Sequence, residues 1–257
     1  MNIASAGLGR YPSLTGVVTF VTGGGSGIGA DIVRAFAAQG AKVGFVDLDE
    51  QAGRALADGC DAEIRPLFFA GDLTQGDTLS RAIAATRAAF GDVGVLVNNV
   101  ANDRRHALAE VDDAFFDATV AINLKPAFFA AQAVVPDMRR RGRGAIVNIG
   151  STSWKVKSVN LPVYATCKSA MTGLTRSLAR ELGASRIRVN LVSPGWVMTN
   201  KQLRMWVDEA GERDMDRNQC LPGRILGSDI AQMALFLAAD DSRMITAQEF
   251  VVDAGWT

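Results

Sequence analysis

Short runs of β-branched and other apolar residues alternate along the chain with longer, alanine-rich stretches of helical period. Strands are predicted at 17–21, 42–47, 64–69, 95–98, 145–149, 188–192 and 249–252. Helices are predicted between them at 29–39, 50–57, 78–90, 113–140, 163–182 and 229–238. Parallel strands joined by crossover helices on both faces form a doubly wound sheet. The pattern therefore predicts an α/β fold with a doubly wound parallel sheet.

One segment interrupts this alternation. Residues 194–227 are weakly periodic and contain Trp196, Trp206 and a mixed-charge stretch at 208–217. Long segments of this kind often close over active sites, although an irregular surface excursion is the alternative. No Pro/Gly/Ser-rich linker divides the 257 residues, and α/β folds fill this length as one unit. We expect a single domain spanning 1–257, with a substrate lid at about 194–227.

Composition and charge narrow the class of protein. Hydrophobic residues make up 48% of the chain and charged residues 21%, which is typical of a globular protein with a large core. Lys plus Arg and Asp plus Glu are both 27, so nothing favours binding to nucleic acid. The first 14 residues do not resemble a signal peptide, and no run reaches ~18 apolar residues. We expect a cytoplasmic protein without a nucleic-acid or membrane partner.

Cysteine and histidine are sparse. Cys60, Cys167 and Cys220 lie in unrelated contexts, which indicates neither a disulfide framework nor metal-ligand spacing. His106 is the only histidine, so a zinc site built on several imidazoles is excluded. We expect no metal, and the chemistry must use other groups.

A glycine-rich turn at 22–29 follows the first predicted strand and opens a helix. Glycines let the backbone approach a pyrophosphate, whose charge is met by free N–H groups at the helix start. A turn without a ligand is the alternative, but the position between strand and helix indicates dinucleotide binding. The turn therefore predicts a dinucleotide cofactor.

The end of the second strand bears on which nicotinamide dinucleotide binds. Asp47 lies 20 residues after Gly27, where a carboxylate can accept hydrogen bonds from ribose hydroxyls. Its neighbour Leu48 offers no guanidinium to a 2′-phosphate, although Lys42 or Arg54 could lie near. NAD is expected and NADP is the second choice; a cap or turn role for Asp47 is the alternative.

Tyr164 and Lys168 lie four residues apart in a predicted helix, so their side chains share one face. A free tyrosine ionises near pH ~10, and a neighbouring ammonium lowers that pKa towards the range of a general base. The pair alone is usually coincidental, so its interpretation depends on the rest of the chain.

Several motifs occur together and in one order. They are the turn at 22–29, the stretch 98–101 (Asn-Asn-Val-Ala), Asn123-Leu124, Ser151 thirteen residues before Tyr164, Tyr164 with Lys168, and Pro194-Gly195. In this combination the chain resembles the short-chain dehydrogenase/reductases over roughly 14–257. The resemblance implies a Rossmann-type fold, with Tyr164 as acid/base and Ser151 hydrogen-bonding the reacting oxygen. Lys168 would hold the nicotinamide ribose and lower the tyrosine pKa, and Asn123 would position a proton-relay water.

The resemblance also implies the cofactor contacts. Asp72 matches an adenine contact, Asn98 a residue near the adenosine, and 194–199 the lining of the carboxamide. Val100-Ala101 departs from the usual Ala-Gly, and we expect adjustment there without loss of binding. The full set expected at the cofactor is Gly23, Gly25, Ser26, Gly27, Ile28, Gly29, Asp47, Leu48, Asp72, Leu73, Asn98, Asn99, Val100, Tyr164, Lys168, Pro194, Gly195, Val197 and Thr199.

Local stretches are similar to the sugar-oxidising branch that contains D-xylose and L-arabinose 1-dehydrogenases. They lie at 102–106, 151–154, 201–206, 219–224 and 252–256, while Arg104, Lys155 and Lys157 depart from that pattern. Polar side chains can pair with sugar hydroxyls and Trp154 can stack on a sugar face. Core-filling, loop and turn roles are the alternatives. The expected substrate residues are Asn102, Asp103, His106, Ser151, Ser153, Trp154 and Asn200.

The reaction implied by this resemblance is hydride transfer from C1 of a cyclic aldose to NAD, giving an aldonolactone, with Tyr164 as general base. A non-sugar secondary alcohol or ketone is the alternative substrate. A dinucleotide-binding protein without turnover is less favoured, because Asn123, Ser151, Tyr164 and Lys168 are all present. Relatives usually form tetramers, so a homotetramer is expected.

Overall fold

The strands of the computed structural model, which describes residues 9–257, run parallel and form one seven-stranded sheet. They are β1 (Val18–Thr22), β2 (Lys42–Asp47), β3 (Leu67–Ala70), β4 (Val95–Asn98), β5 (Gly144–Ile149), β6 (Ile187–Pro194) and β7 (Glu249–Val252). Their order is β3-β2-β1-β4-β5-β6-β7. The direction of the strand order reverses between β1 and β4, and ligands bind at such a point beyond the carboxyl ends of the strands. The predicted α/β class is confirmed.

Helices cover both faces of the sheet. They are α1 (Gly27–Ala38), α2 (Glu50–Gly59), α3 (Thr78–Phe90), α4 (Asp113–Asn123), α5 (Lys125–Arg140), α6 (Pro162–Leu182), α7 (Asn200–Met205), α8 (Glu209–Asn218) and α9 (Gly227–Ala238). Successive strand side chains point to opposite faces, so Phe20 joins one apolar core and Val21 the other. The core around Val21 contains α1 and α9, and the core around Phe20 contains α3 and α5.

The helix predicted at 113–140 is two helices that meet at Leu124. Pro126 has no N–H and cannot donate to the carbonyl of Ile122, and the Ala127 N–H donates instead to the Leu124 carbonyl at 3.2 Å. By length and composition alone, 113–140 could cross a membrane. In the fold, however, α4 contacts α6 and α5 contacts α3 and the sheet. The segment is therefore part of the packed α/β structure.

Two other predictions differ from the structure. Residues 194–227 are more regular than expected, because side chains cap two short helices: Thr199 accepts from the Gln202 N–H and Asp208 from the Gly211 N–H. The strand predicted at 64–69 begins only at Leu67, directly after Pro66, which lacks a donor for the ladder. Elsewhere the bounds of predicted and observed elements differ by a few residues.

Candidate active site

A cavity of about 910 Å³ lies at the carboxyl ends of the strands. Its lining includes residues that end or directly follow five strands: Gly23, Asp47, Asn99, Gly150 and Gly195. It extends from Asp72 and Leu73 beyond β3 to Trp256 near the C-terminus. The cavity is therefore elongated across the point where the strand order reverses, which suits a dinucleotide.

The glycine-rich turn forms one wall of this cavity. A Cβ on Gly29 would lie 1.9 Å from the Gly23 carbonyl oxygen, and Gly23 itself has φ +67 and packs against the Val100 backbone. Ser26 caps α1 without a side-chain hydrogen bond within residues 9–257, so the first N–H groups of the helix remain free for a ligand. Ser26, Ile28 and Gly29 line the cavity. This geometry fits a bound pyrophosphate.

Asp47 braces the same turn. Its Oδ2 accepts from the Gly25 N–H at 2.7 Å and its Oδ1 from the Asp49 N–H at 3.0 Å, while Asp47 and Leu48 both line the cavity. Lys42 begins β2 and Asp47 ends it, so the two residues lie at opposite ends of one strand. The Arg54 guanidinium binds Glu50 on α2 at 2.6 Å. Neither Lys42 nor Arg54, the two cations that the sequence analysis considered for a 2′-phosphate, lines the cavity.

Other predicted cofactor residues divide between the cavity and the core. Asp72, Leu73, Asn99, Val100, Pro194, Gly195, Val197 and Thr199 line the cavity. Hydrogen bonds from the backbone and side chain of Thr74 lower the pKa of Asp72, which keeps it ionised. Asn98 instead lies in the core and donates to Asn148 at 2.9 Å and to the Ala127 carbonyl at 3.3 Å.

Tyr164 and Lys168 project from the first turns of α6 into the cavity with Ser151. The Lys168 Nζ donates to the Ile149 carbonyl at 2.9 Å and lies 5.8 Å from the centre of the Tyr164 ring. Ser151 lies close enough to Tyr164 to lower the pKa of its hydroxyl, and the Ser151 oxygen accepts from the Ser153 N–H at 3.1 Å. Three of the four predicted catalytic side chains therefore meet in one place.

The pKa values of this cluster are set mainly by burial. Burial raises the pKa of Tyr164 above its ordinary value and the charge of Asp103 raises it further, whereas the Ser151 hydrogen bond and the charge of Arg105 lower it. Burial also lowers the pKa of Lys168 to about 8. The pKa of Tyr164 is thus raised, not lowered as the sequence predicted, and the groups that lower it are Ser151 and Arg105 rather than Lys168.

Asn123 is buried beside the cavity, and its side chain holds the loop after β4. Its Oδ1 accepts from the Asn102 N–H at 2.9 Å, and its Nδ2 donates to the Asn102 and Thr119 carbonyls at 3.1 and 3.0 Å. The amide is thus fully engaged in the fold. Because α4 ends at this residue, its main-chain carbonyl is the group left to contact a water.

Only some of the predicted substrate residues line the cavity. Asn102, Asp103, Ser151 and Ser153 line the cavity, whereas Trp154 and Asn200 lie outside its lining. His106 is 4% exposed; its Nε2 accepts from the Val163 N–H at 3.2 Å and its Nδ1 lies 2.9 Å from the Arg104 carbonyl. The ring therefore joins the loop after β4 to the start of α6, which is the loop role that the sequence left as the alternative.

Asp103 links the loop after β4 to the 194–227 segment. Its Oδ1 pairs with the Lys201 ammonium and its Oδ2 accepts from the Gln202 Nε2 at 2.7 Å. Burial raises the pKa of Asp103, but the hydrogen bonds and charge of Lys201, together with Gln202, lower it below its ordinary value. The carboxylate is ionised and its charge is compensated by α7.

Sequence patterns missed several residues of the cavity. The 194–227 segment contributes Trp196, Lys201, Gln202, Asp214 and Asn218, and other parts of the chain contribute Arg105, Lys157 and Trp256. The described ranges hold no cluster of three or more His, Cys, Asp or Glu side chains that could bind a metal. The polar groups that can act on a ligand are thus hydroxyls, amides and isolated charges.

Comparisons with known proteins agree with this geometry. Residues 23–257 match a family model described as enoyl-(acyl carrier protein) reductase. D-xylose 1-dehydrogenase of Caulobacter vibrioides is 45% identical over 96% of this chain and 98% of its own, and the probable galactose dehydrogenase of Rhizobium meliloti is 41% identical over 96% and 97%. A solved short-chain type dehydrogenase/reductase from Mycobacterium ulcerans superposes with a TM-score of 0.88 at 28% identity, covering 95% of this chain and 90% of that one.

Proposed function

This chain belongs to the short-chain dehydrogenase/reductase family of oxidoreductases, and from that premise we propose that it oxidises a cyclic aldose at C1, with NAD as hydride acceptor and an aldonolactone as product. The observation that carries the proposal is the convergence of Tyr164, Ser151 and Lys168 on a cavity that also contains the dinucleotide turn. The names of the two sugar dehydrogenase relatives support an aldose as substrate.

The chain's own residues supply acid–base chemistry. In the proposed reaction Tyr164 removes the proton of the C1 hydroxyl, and Ser151 donates a hydrogen bond to the oxygen as charge develops on it. Lys168 holds the nicotinamide ribose. Asn123 keeps the loop after β4 in place and offers its main-chain carbonyl to a relay water. When bound, the nicotinamide accepts the hydride from C1.

We infer that NAD is preferred over NADP. The Asp47 carboxylate lies where the adenosine ribose would bind, and a 2′-phosphate there would meet a negative charge. Neither Lys42 nor Arg54 lines the cavity, which supports this preference. NADP would bind only at a cost in affinity.

We further propose that 194–227 is a substrate lid, on the ground that it supplies nine residues of the cavity lining, from Pro194 to Asn218.

The chain is proposed to act in the cytoplasm as a homotetramer without a nucleic-acid or membrane partner. Support for the tetramer comes from Phe116, Phe128 and Phe129 on α4 and α5, which are 45%, 47% and 44% exposed. Exposed aromatic clusters of this kind favour subunit contacts.

The test of the activity is NADH formation by the purified protein with NAD or NADP and L-arabinose, D-xylose, D-galactose, L-fucose and L-rhamnose. Tyr164→Phe should lower turnover by about 10²-fold or more and leave NAD affinity unchanged, since it removes only the proton acceptor. Tyr11→Phe, which changes the chain's other tyrosine, is the matched control. Undiminished turnover in Tyr164→Phe would contradict the mechanism. Tight NAD binding without oxidation of any sugar would favour a non-sugar alcohol or ketone.

A further inference from the structure

Arg105 projects into the same cavity as Tyr164 from the loop after β4. Its side chain is partly buried, and its guanidinium carbon lies 5.1 Å from the centre of the Trp206 ring. Stacking on an aromatic ring fixes the plane of a guanidinium while its N–H groups at the edge remain able to donate. Arg105 is therefore oriented in the cavity by a residue of the 194–227 segment.

The donors of this guanidinium have no acceptor within residues 9–257, where its side chain forms neither a hydrogen bond nor an ion pair. Asp103, two residues away, already accepts from Lys201 and Gln202 through its two oxygens. A guanidinium carries five N–H donors, and partial burial without acceptors is unfavourable. A ligand with several oxygen acceptors would relieve that cost.

We propose that Arg105 is a substrate-binding residue whose guanidinium donates to neighbouring oxygen atoms of the aldose and thereby orients C1 towards Tyr164. This rests on the proposed function and adds a specificity-determining contact to it. A planar guanidinium fork can bind two adjacent oxygens at once, whereas an ammonium acts as a single charged point. Vicinal hydroxyls of a pyranose place two oxygen acceptors side by side, so Arg105 selects among aldoses by the position of these acceptors.

The neighbouring residue provides a matched control. The Arg104 guanidinium carbon lies 5.2 Å from the centre of the Phe115 ring, so it makes the same kind of stacking contact in the same loop, but Arg104 lies outside the cavity lining. Replacing either arginine with methionine removes one charge and keeps an unbranched apolar stem. Only the substitution at Arg105 removes a group from the cavity.

The experiment compares Arg105→Met, Arg105→Lys and Arg104→Met with the wild type on the best aldose. Loss of charged hydrogen bonds should raise KM about tenfold or more in Arg105→Met, with a smaller change in kcat and an unchanged Kd for NAD. Arg105→Lys should recover part of the loss, and Arg104→Met should match the wild type. The rise of kcat/KM with pH that Tyr164 governs should also move to higher pH in Arg105→Met, because the charge of Arg105 lowers the pKa of Tyr164.

The outcomes separate substrate binding from support of the fold. A residue that only supports Trp206 would lower the melting temperature and kcat while leaving KM and the pH profile in place. If the wild type oxidises aldoses and Arg105→Met keeps the KM of Arg104→Met, this proposal is overturned and the proposed function stands. If the wild type oxidises no aldose with either cofactor, both are overturned.

Discussion

At the scale of single residues, the charges around Tyr164 determine the pH at which it can act as a base. Asp103 raises the pKa of Tyr164, so Asp103→Asn should lower it and move the rise of kcat/KM to lower pH. The freed Lys201 ammonium would shift the profile in the same direction. The check is the pH dependence of kcat/KM, with Asp214→Asn as a control that changes another carboxylate of the cavity. An unmoved profile, or one moved to higher pH, would contradict this account.

Lys168 is a second residue whose burial has a measurable consequence. Its pKa in the fold is about 8, against an ordinary value of 10.5, so the unfolded chain binds more protons between these values and stability rises with pH there. Below pH 8 both states are protonated and the full cost of burying the ammonium remains. Lys168→Met should therefore stabilise the cofactor-free protein at pH 7 by about 1–3 kcal/mol, after the lost hydrogen bond to Ile149 is included.

Denaturant unfolding at pH 7 and pH 10 checks this prediction. The stability difference between Lys168→Met and the wild type should shrink at pH 10, because most of the wild-type amine is then neutral in the folded state. An equal difference at both pH values would show that Lys168 is not titrating in the fold as its burial requires.

At the scale of elements, sequence periodicity predicted the strands and long helices and failed where a local feature interrupts the pattern. The apolar period runs through 113–140, but Pro126 removes one donor and divides the helix at Leu124. Pro66 shortens β3 in a similar way. The α7 helix contains only 6 residues, and the 10 residues of α8 are mostly charged, so neither helix has a clear apolar period. Their capping residues Thr199 and Asp208 were the available signals.

The turn between β1 and α1 permits a direct test of the element that is proposed to hold the pyrophosphate. Gly29→Ala would place a Cβ 1.9 Å from the Gly23 carbonyl oxygen, so the turn must open. We expect NAD affinity to fall by about tenfold or more, or stability to fall by about 2 kcal/mol or more. Gly59→Ala, in the last turn of α2 with open space around it, should instead preserve NAD affinity and stability. Titration with NAD and thermal unfolding would measure both, and wild-type behaviour of Gly29→Ala would contradict the assigned geometry.

At the scale of the whole molecule, the sequence predicted site residues that belong to contiguous motifs and missed those brought together by tertiary packing. Tyr164 and Lys168 share a helix face and the turn at 22–29 is local, so both could be recognised along the chain once the other motifs of the family were found with them. Asp214 on α8 and Trp256 beyond β7 are distant in sequence from these motifs and reach the cavity only through the tertiary fold. For Asn98 and His106 the sequence failed in the opposite way, since spacing did not reveal that the Asn98 Nδ2 and the His106 Nε2 form hydrogen bonds inside the fold.

Exposed phenylalanines on α4 and α5 bear on how the proposed subunits assemble. Phe128 and Phe129 lie edge to face at 5.4 Å and remain nearly half exposed on α5, with Phe116 similarly exposed on α4. Subunit contact through this surface would bury the apolar area of these three side chains. Phe128→Glu should therefore break the proposed homotetramer into smaller species, because a buried unpaired carboxylate is strongly unfavourable. Light scattering measures the mass, and Leu108→Glu, at a 79% exposed apolar position before α4, should keep the wild-type mass. A monomeric wild type would contradict the assembly, and an intact Phe128→Glu tetramer would place the subunit contacts on another face.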